Sequence, residues 1–297
     1  MFKSCNFKTF ATFKSLFFLS NNIKVITFIL LFISGRKIMI RGLYTGATGM
    51  MMEMVRHDII ANNLANVNTA GYKRDVAVHK DFSKMFLERL NEPPIQISDR
   101  FQLFRETPVG NLGTGVVTDA IAVDFSSGGF QKTDNPLDLA INGNGFFAIE
   151  TEKGIRYTRN GNFTLNSDGE LSTPDGFRVL GQNGPIRVAG NNVDIGEDGV
   201  VNVDGKVVEQ IQIIDFEDRR VLRKTGENLF AAPYDAPVLA GSGKVLQGGL
   251  EKANVDLAGE MVKMITALRA YEINQKAVQS QDSMLDQAIN QVGKTNA

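Results

Sequence analysis

The sequence predicts an α+β protein in which long N- and C-terminal helices pair as a coiled coil, with a central all-β domain inserted between them. Three observations predict it. From Leu257 to Val292, apolar residues recur at alternating steps of four and three. A shorter run from Ile40 to Leu64 follows the same rule. Between them, Asn-Gly and Asp-Gly dipeptides recur at close spacing, the strongest short-range signal for β-hairpins. The plainer alternative to a coiled coil, two amphipathic helices lying on one globular core, satisfies the same spacing. The chain divides into 1–38, a leader or a misplaced start; 39–74, the N-terminal helix and its exit; 75–130, a connector; 131–247, the all-β domain; and 248–297, the C-terminal helix.

Residues 1–38 hold six lysines and arginines and no acid, which leaves 26 basic against 33 acidic residues in the remainder. An acidic body argues against nucleic acid as a partner, because phosphate recognition needs a basic face. The sole cysteine, Cys5, lies in the same leader, so the body carries no disulfide and no thiol chemistry. Val25–Ile33 is apolar behind scattered lysines, like a signal-peptide core, yet Ser34-Gly35-Arg36 is a poor cleavage site. An upstream start, an export signal and a membrane anchor all fit this stretch, and Met39 is a natural alternative start.

The N-terminal seam runs through Ile40, Leu43, Ala47, Met50, Met54, His57, Ala61 and Leu64. The helix should stop near Asn66, where asparagines favour bonds to their own backbone and Gly71 can supply a positive-φ exit. In the connector, Pro93-Pro94 excludes a long helix, although Phe82–Leu90 is compatible with a short one; irregular or β structure is expected elsewhere. Short strands are expected at Phe146–Ile149, Phe163–Leu165, Phe177–Leu180, Val200–Val203 and Ile211–Phe216, in a sandwich or barrel-like meander that continues to about Val245. The C-terminal seam runs through Leu257, Met261, Met264, Leu268, Tyr271, Val278, Leu285, Ile289 and Val292, with Asn254 or Asp256 as cap. Such a helix is about 50 Å long, too long for a small domain without a partner.

Candidate chemical sites are weak. Asn166-Ser167-Asp168-Gly169-Glu170 lacks the ligand ladder and terminal glutamate of a calcium loop, so turn chemistry is the stronger reading. Gly241-Ser242-Gly243-Lys244 has valines where a phosphate loop needs its first glycine and its hydroxyl. The two histidines, His57 and His79, have no cysteine or paired carboxylate at ligand spacing. No serine stands with a base as a nucleophile. Glu260, Arg269, Glu272 and Lys276 include helix-spaced pairs of opposite charge. Met50, Met51, Met52 and Met54 are core filling, or an adaptable interface. No catalytic, cofactor or metal residue is assigned.

Three motifs carry a family resemblance. Ala61-Asn62-Asn63-Leu64-Ala65-Asn66 leading to Asn68-Thr69-Ala70-Gly71-Tyr72-Lys73 resembles the N-terminal signature of the bacterial flagellar rod and hook family. Asp134–Ile141, Gly143–Phe147 and Tyr157–Gly161 are similar to its central motif. Asn254-Val255-Asp256, Glu260–Ile265 and Arg269-Ala270-Tyr271-Glu272 are similar to its C-terminal signature. The resemblance covers 39–293 and favours Met39 as the first residue. It implies a structural subunit of the flagellar basal-body rod, of the FlgF/FlgG type with a leaning to the proximal-rod FlgF. Such a subunit is no enzyme. It polymerises helically through its terminal helices into the axial drive shaft joining motor to hook. The implied partners are itself, other rod and hook proteins and the flagellar type III export apparatus, with no cofactor, nucleic acid or small-molecule substrate. The implied location is the periplasmic rod of the basal body, reached without a cleaved signal if Met39 is the start. A hook protein, a secreted β-rich adhesin and, more weakly, a polysaccharide-acting enzyme are the alternatives.

Overall fold

The structure, a computed structural model, describes residues 41–81, 84–89, 95–98, 101–103, 107–190 and 192–294, with side chains left out at 41, 84–112 and 292–294. The leader readings, Met39, Ile40 and Pro93-Pro94 lie outside these residues. Helix α1 spans Arg41–Ala65 and helix α2 spans Leu257–Lys294. Helix α1 ends where Asn66 folds back, its backbone N–H and its side-chain amide both donating to Asn62 O. Helix α2 begins at Asp256, whose Oδ2 accepts from the Gly259 N–H at 3.2 Å. Asn254, the other expected cap, is used elsewhere.

The connector is a single long β-arm. Asp75–Asp81 pairs with Val116–Val123, Lys84–Arg89 with Thr107–Gly113, and Ile95–Ser98 with Phe101–Leu103, each antiparallel and nested inside the last. The short helix expected over Phe82–Leu90 is therefore replaced by strand at Lys84–Arg89. A segment this short is marginal as a helix, and a facing strand satisfies its backbone instead.

Between Leu139 and Gln247 the chain builds a nine-stranded mixed-order sheet and a separate three-stranded one. The strand Phe146–Thr151 is central, bordered by Gly154–Thr158, Arg178–Val179 and Ile213–Phe216. Successive strand residues point to opposite faces, so the fully buried run Phe146-Phe147-Ala148-Ile149 serves two cores. Phe147 and Ile149 join Leu139, Phe163, Leu171 and Val201 on one side. Phe146 and Ala148 join Tyr157, Phe216 and Phe230 on the other. Asp204-Gly205, both at positive φ (51° and 81°), makes the two-residue turn of the hairpin Val200–Val203/Lys206–Gln210. Two strand pairs close the domain at its ends: Leu139–Asn142 with Lys244–Gln247, and Phe130–Lys132 with Gly249–Glu251.

Candidate functional site

The region around Gly71–Arg74 brings distant parts of the chain together. Gly71 sits at φ 67°, and a Cβ there would overlap the Arg159 carbonyl. Only glycine lets the helix exit approach this closely. Its N–H donates to Glu251 O at 2.7 Å. The next turn places Lys73, fully buried, with Nζ donating to Glu251 Oε1 at 2.6 Å and to Ser126 O at 2.9 Å. The same Oε1 accepts from the Gly128 N–H, and Oε2 accepts from Arg159 Nη1 at 3.3 Å. Arg159 Nη1 and Nη2 also donate to Ile141 O and Gly143 O, while its buried Nε has no hydrogen-bond partner among the described residues. One carboxylate thus faces two cations, each almost without solvent. Burial pulls the Lys73 ammonium below its ordinary range, against the opposing pull of Glu251, and burial likewise lowers Arg159.

A second layer surrounds this triad. Tyr72 O–H is shared between Asn62 Oδ1 and Asn63 Oδ1 at 2.8 and 3.1 Å. Burial, with the Asp75 charge adding to it, raises its phenol. The Asn63 side chain exchanges two hydrogen bonds with the Asp75 backbone, so it acts as a short extra rung. Lys224 lies 4.1 Å over the Tyr72 ring, donates to Lys73 O and pairs with Asp75; burial lowers its ammonium too. Arg74 holds Asp124 with two bonds, and Asn254 ties both backbones together. Burial pushes the Asp124 carboxyl up, but bonds from Ser126 and Arg74 outweigh it and hold it low. Such a network is strong only when complete.

The signature residues Asn62, Asn63, Gly71 and Tyr72 therefore lie in this clasp. Asn66 accepts from Thr69 beside it, Asn68 is exposed in the same turn, and Leu64 is half-buried on α1. Sequence reasoning quoted Lys73 and Arg159 without assigning them roles, and gave Asn254 only the role of a possible helix cap. It passed over Glu251, Asp124 and Lys224 altogether.

The helices face each other with opposite polarity. A Cβ on Gly42 would overlap Gln281, one on Gly46 would lie 2.7 Å from Val278 Cγ2, and one on Gly49 would lie 2.9 Å from Asn274 Nδ2. Farther along, Glu53 and His57 face Ala267 and Tyr271, and Ile60 and Asn63 approach Glu260. On α1 the facing set is Gly42, Gly46, Gly49, Glu53, His57, Ile60 and Asn63. His57 lies on the expected seam, whereas the others sit one residue before the expected Leu43, Ala47, Met50, Met54, Ala61 and Leu64. Small residues allow close backbone approach, and that fixes the phase. On α2, Met264, Tyr271, Val278 and Leu285 are half-buried, whereas Leu257, Met261, Leu268 and Ile289 are 47–68% exposed. The Val292 side chain lies outside the described residues. Arg269 and Glu272 are exposed and Ala270 is half-buried.

The set-aside motifs are occupied by the fold. Asn166 Oδ1 accepts from the N–H groups of Asp168 and Glu170, and Glu170 pairs with Arg187. The amides of Gly241 and Gly243 donate to Ile213 O and Asn144 O, and Lys244 pairs with Glu197. No described helix is long and apolar enough to cross a membrane.

This architecture defines a structural scaffold: a β head joined by a buried polar clasp to two helices of unequal length. Three family models match it: "Flagella basal body rod protein" over 43–73, "Flagellar hook protein FlgE/F/G D1 domain" over 140–203 and "Flagellar basal body rod FlgEFG protein C-terminal" over 246–291. Each segment contributes one member of the Lys73–Arg159–Glu251 triad. The flagellar basal-body rod protein FlgG of Buchnera aphidicola subsp. Schizaphis graminum is 36% identical over 264 residues, covering 83% of this chain and 98% of that protein. FlgG of Bacillus subtilis (strain 168) is 35% identical, covering 85% and 99%, and FlgG of Borreliella burgdorferi is 38% identical, covering 85% and 98%. The chain belongs to the flagellar basal-body rod family, of the FlgF/FlgG type. It is a structural subunit of the rod, not an enzyme, and it assembles with other rod and hook proteins of the basal body.

Proposed function

We propose that this subunit polymerises helically through its terminal helices, which supercoil as a pair within each copy and pack against neighbours, with the β head on the outer layer. One observation carries this reading. Helix α2 keeps a large apolar surface uncovered by α1, with Met261, Val262, Ile265, Leu268, Ile273, Met284 and Ile289 each 47–68% exposed. At roughly 25 cal/mol per Å2, covering such a stripe in an assembly is a large driving force. A head-to-tail contact that does not close on itself yields a tube. Family kinship supports export by the flagellar type III apparatus and a periplasmic position in the drive shaft between motor and hook. Between the rod types, similarity to FlgG proteins along nearly their whole length favours the FlgG type over the leaning to FlgF. The test is incorporation into purified hook–basal bodies. Leu268→Asp is expected to leave the β head folded and abolish incorporation; normal incorporation overturns the reading.

A further inference from the structure

We propose that the cleft between the two helices at Glu53 receives a basic side chain from the C-terminal helix of a neighbouring copy of this chain, and that Arg269 is the residue offered. This rests on the polymerisation reading above and adds to it a specific contact. Glu53 is a carboxylate on α1 only 6% exposed. Its Oε2 is buried and accepts no hydrogen bond. The nearest cation, Arg56, stands 3.7 Å away, beyond hydrogen-bonding distance, and is itself partly in solvent. Beside Glu53 lies a cavity of about 150 Å3 lined by Glu53, Met54, His57, Ala267, Leu268 and Tyr271. The Gln281 Oε1 farther along the same helix pair is a second buried acceptor without a donor.

Buried acceptors without donors are costly. What the cleft lacks is a donor: the partly exposed Arg56 faces Glu53 Oε2 from 3.7 Å and leaves it without a hydrogen bond. Apolar walls with a carboxylate among them suit a side chain that has a methylene stem and a cationic head. The cavity is several times the volume of one water, about 30 Å3, so it has room for the end of a side chain.

The C-terminal helix carries matching cations. Lys263 is bound to Glu260 at 2.7 Å. Arg269 and Lys276, one heptad apart and therefore on one face, are exposed and form no ion pair among the described residues. The guanidinium fork can hold a carboxylate with two bonds, which favours Arg269. In its own chain Arg269 does not reach Glu53, so the contact is left to a second copy.

Charge exchange between copies tests this. Glu53→Arg or Arg269→Glu, as the sole copy, is expected to lower recovery of the chain in purified hook–basal bodies at least tenfold. Expressed together, the two variant chains can alternate, so that each E53R cleft meets an R269E helix and each native cleft a native arginine. Recovery is then expected to return to within threefold of the native chain. That rescue also excludes misfolding as the cause, because neither chain has changed. Native recovery of either single variant, or coexpression that stays at the single-variant level, overturns the proposal. Leu268→Asp separates the two readings. If it assembles normally, polymerisation through the helices fails; if it blocks assembly while E53R and R269E assemble, only the Glu53 contact fails.

Discussion

Glu251→Gln isolates the charge at the centre of the clasp while keeping its shape. Gln can still accept at one oxygen from Lys73 and from the Gly128 N–H, the pair that now meets Oε1. The other position turns from acceptor into donor and faces Arg159 Nη1, which now donates across 3.3 Å. Two cations, Lys73 with no exposure and Arg159 2% exposed, lose their only counter-charge within that triad. Removing one partner of a buried ion pair costs about 3–5 kcal/mol. For a body of this size each kcal/mol lowers the melting temperature by about 2–4 °C, so the expected drop is about 6–20 °C. Thermal unfolding of the full chain, followed by far-ultraviolet circular dichroism, measures it. Lys73→Met supplies the internal control: it leaves Glu251 with Arg159 and Gly128, so its drop should be clearly smaller. A Glu251→Gln shift below about 2 °C, or a larger loss from Lys73→Met, would refute the view that one carboxylate holds the three motifs.

Gly71→Ala places a side chain at φ 67° against the Arg159 carbonyl; backbone strain alone should cost about 1–3 kcal/mol, seen as a lower urea midpoint. Gly46→Leu should force α1 off Val278 and Asn274. It is expected to raise amide exchange in α2 over 274–281 while the melting of the β head stays unchanged. Acid should destabilise the clasp. Asp124 is held below its ordinary range in the folded protein, so its contribution is complete above the unfolded value of about 3.9 and is lost as pH falls through the lower folded value. Melting temperature should therefore decline below about pH 4, and Asp124→Asn should flatten that decline; an equal slope in both proteins would exclude Asp124 as a source.

The hairpins were legible because their turns are local. Asp204-Gly205 states its own geometry, and the strands on either side follow from it. The hairpin closed by Glu227-Asn228, at φ 52° and 58°, was not legible, because neither residue belongs to the usual glycine dipeptides. Asn228 nevertheless matters, since its amide donates to Ala70 O in the clasp. The long arm was missed for another reason. Its pairs join residues as far apart as Asp75 and Val123, and no periodicity within either strand announces a partner that distant. The clasp failed in the same way: Lys73 and Glu251 are separated by 178 residues, and a lone glutamate in sequence carries no sign that it is buried.

The helix seams show a subtler limit. Apolar residues at four-three spacing mark which helices carry a seam, yet they do not say which neighbour each apolar row will meet. On α1 the row nearest α2 is Gly42, Gly46 and Gly49, because two helix backbones come closest where side chains are smallest. The larger residues one step on, Leu43, Ala47 and Met50, are thereby rotated to the flank. On α2 the expected row splits: Met264, Tyr271, Val278 and Leu285 are half-buried, while Met261, Leu268 and Ile289 are exposed, Leu268 at the rim of the cavity beside Glu53. A helix with one partner needs one apolar row, whereas this one carries two, with Glu260, Asn274 and Gln281 interleaved on the inner side. Selection for stability of the lone subunit would have placed leucines against α1 and polar residues outside. Here glycines and polar residues share the inner side with Met264, Tyr271, Val278 and Leu285, while other apolar residues stay exposed on α2, the surface that the proposed polymerisation would use.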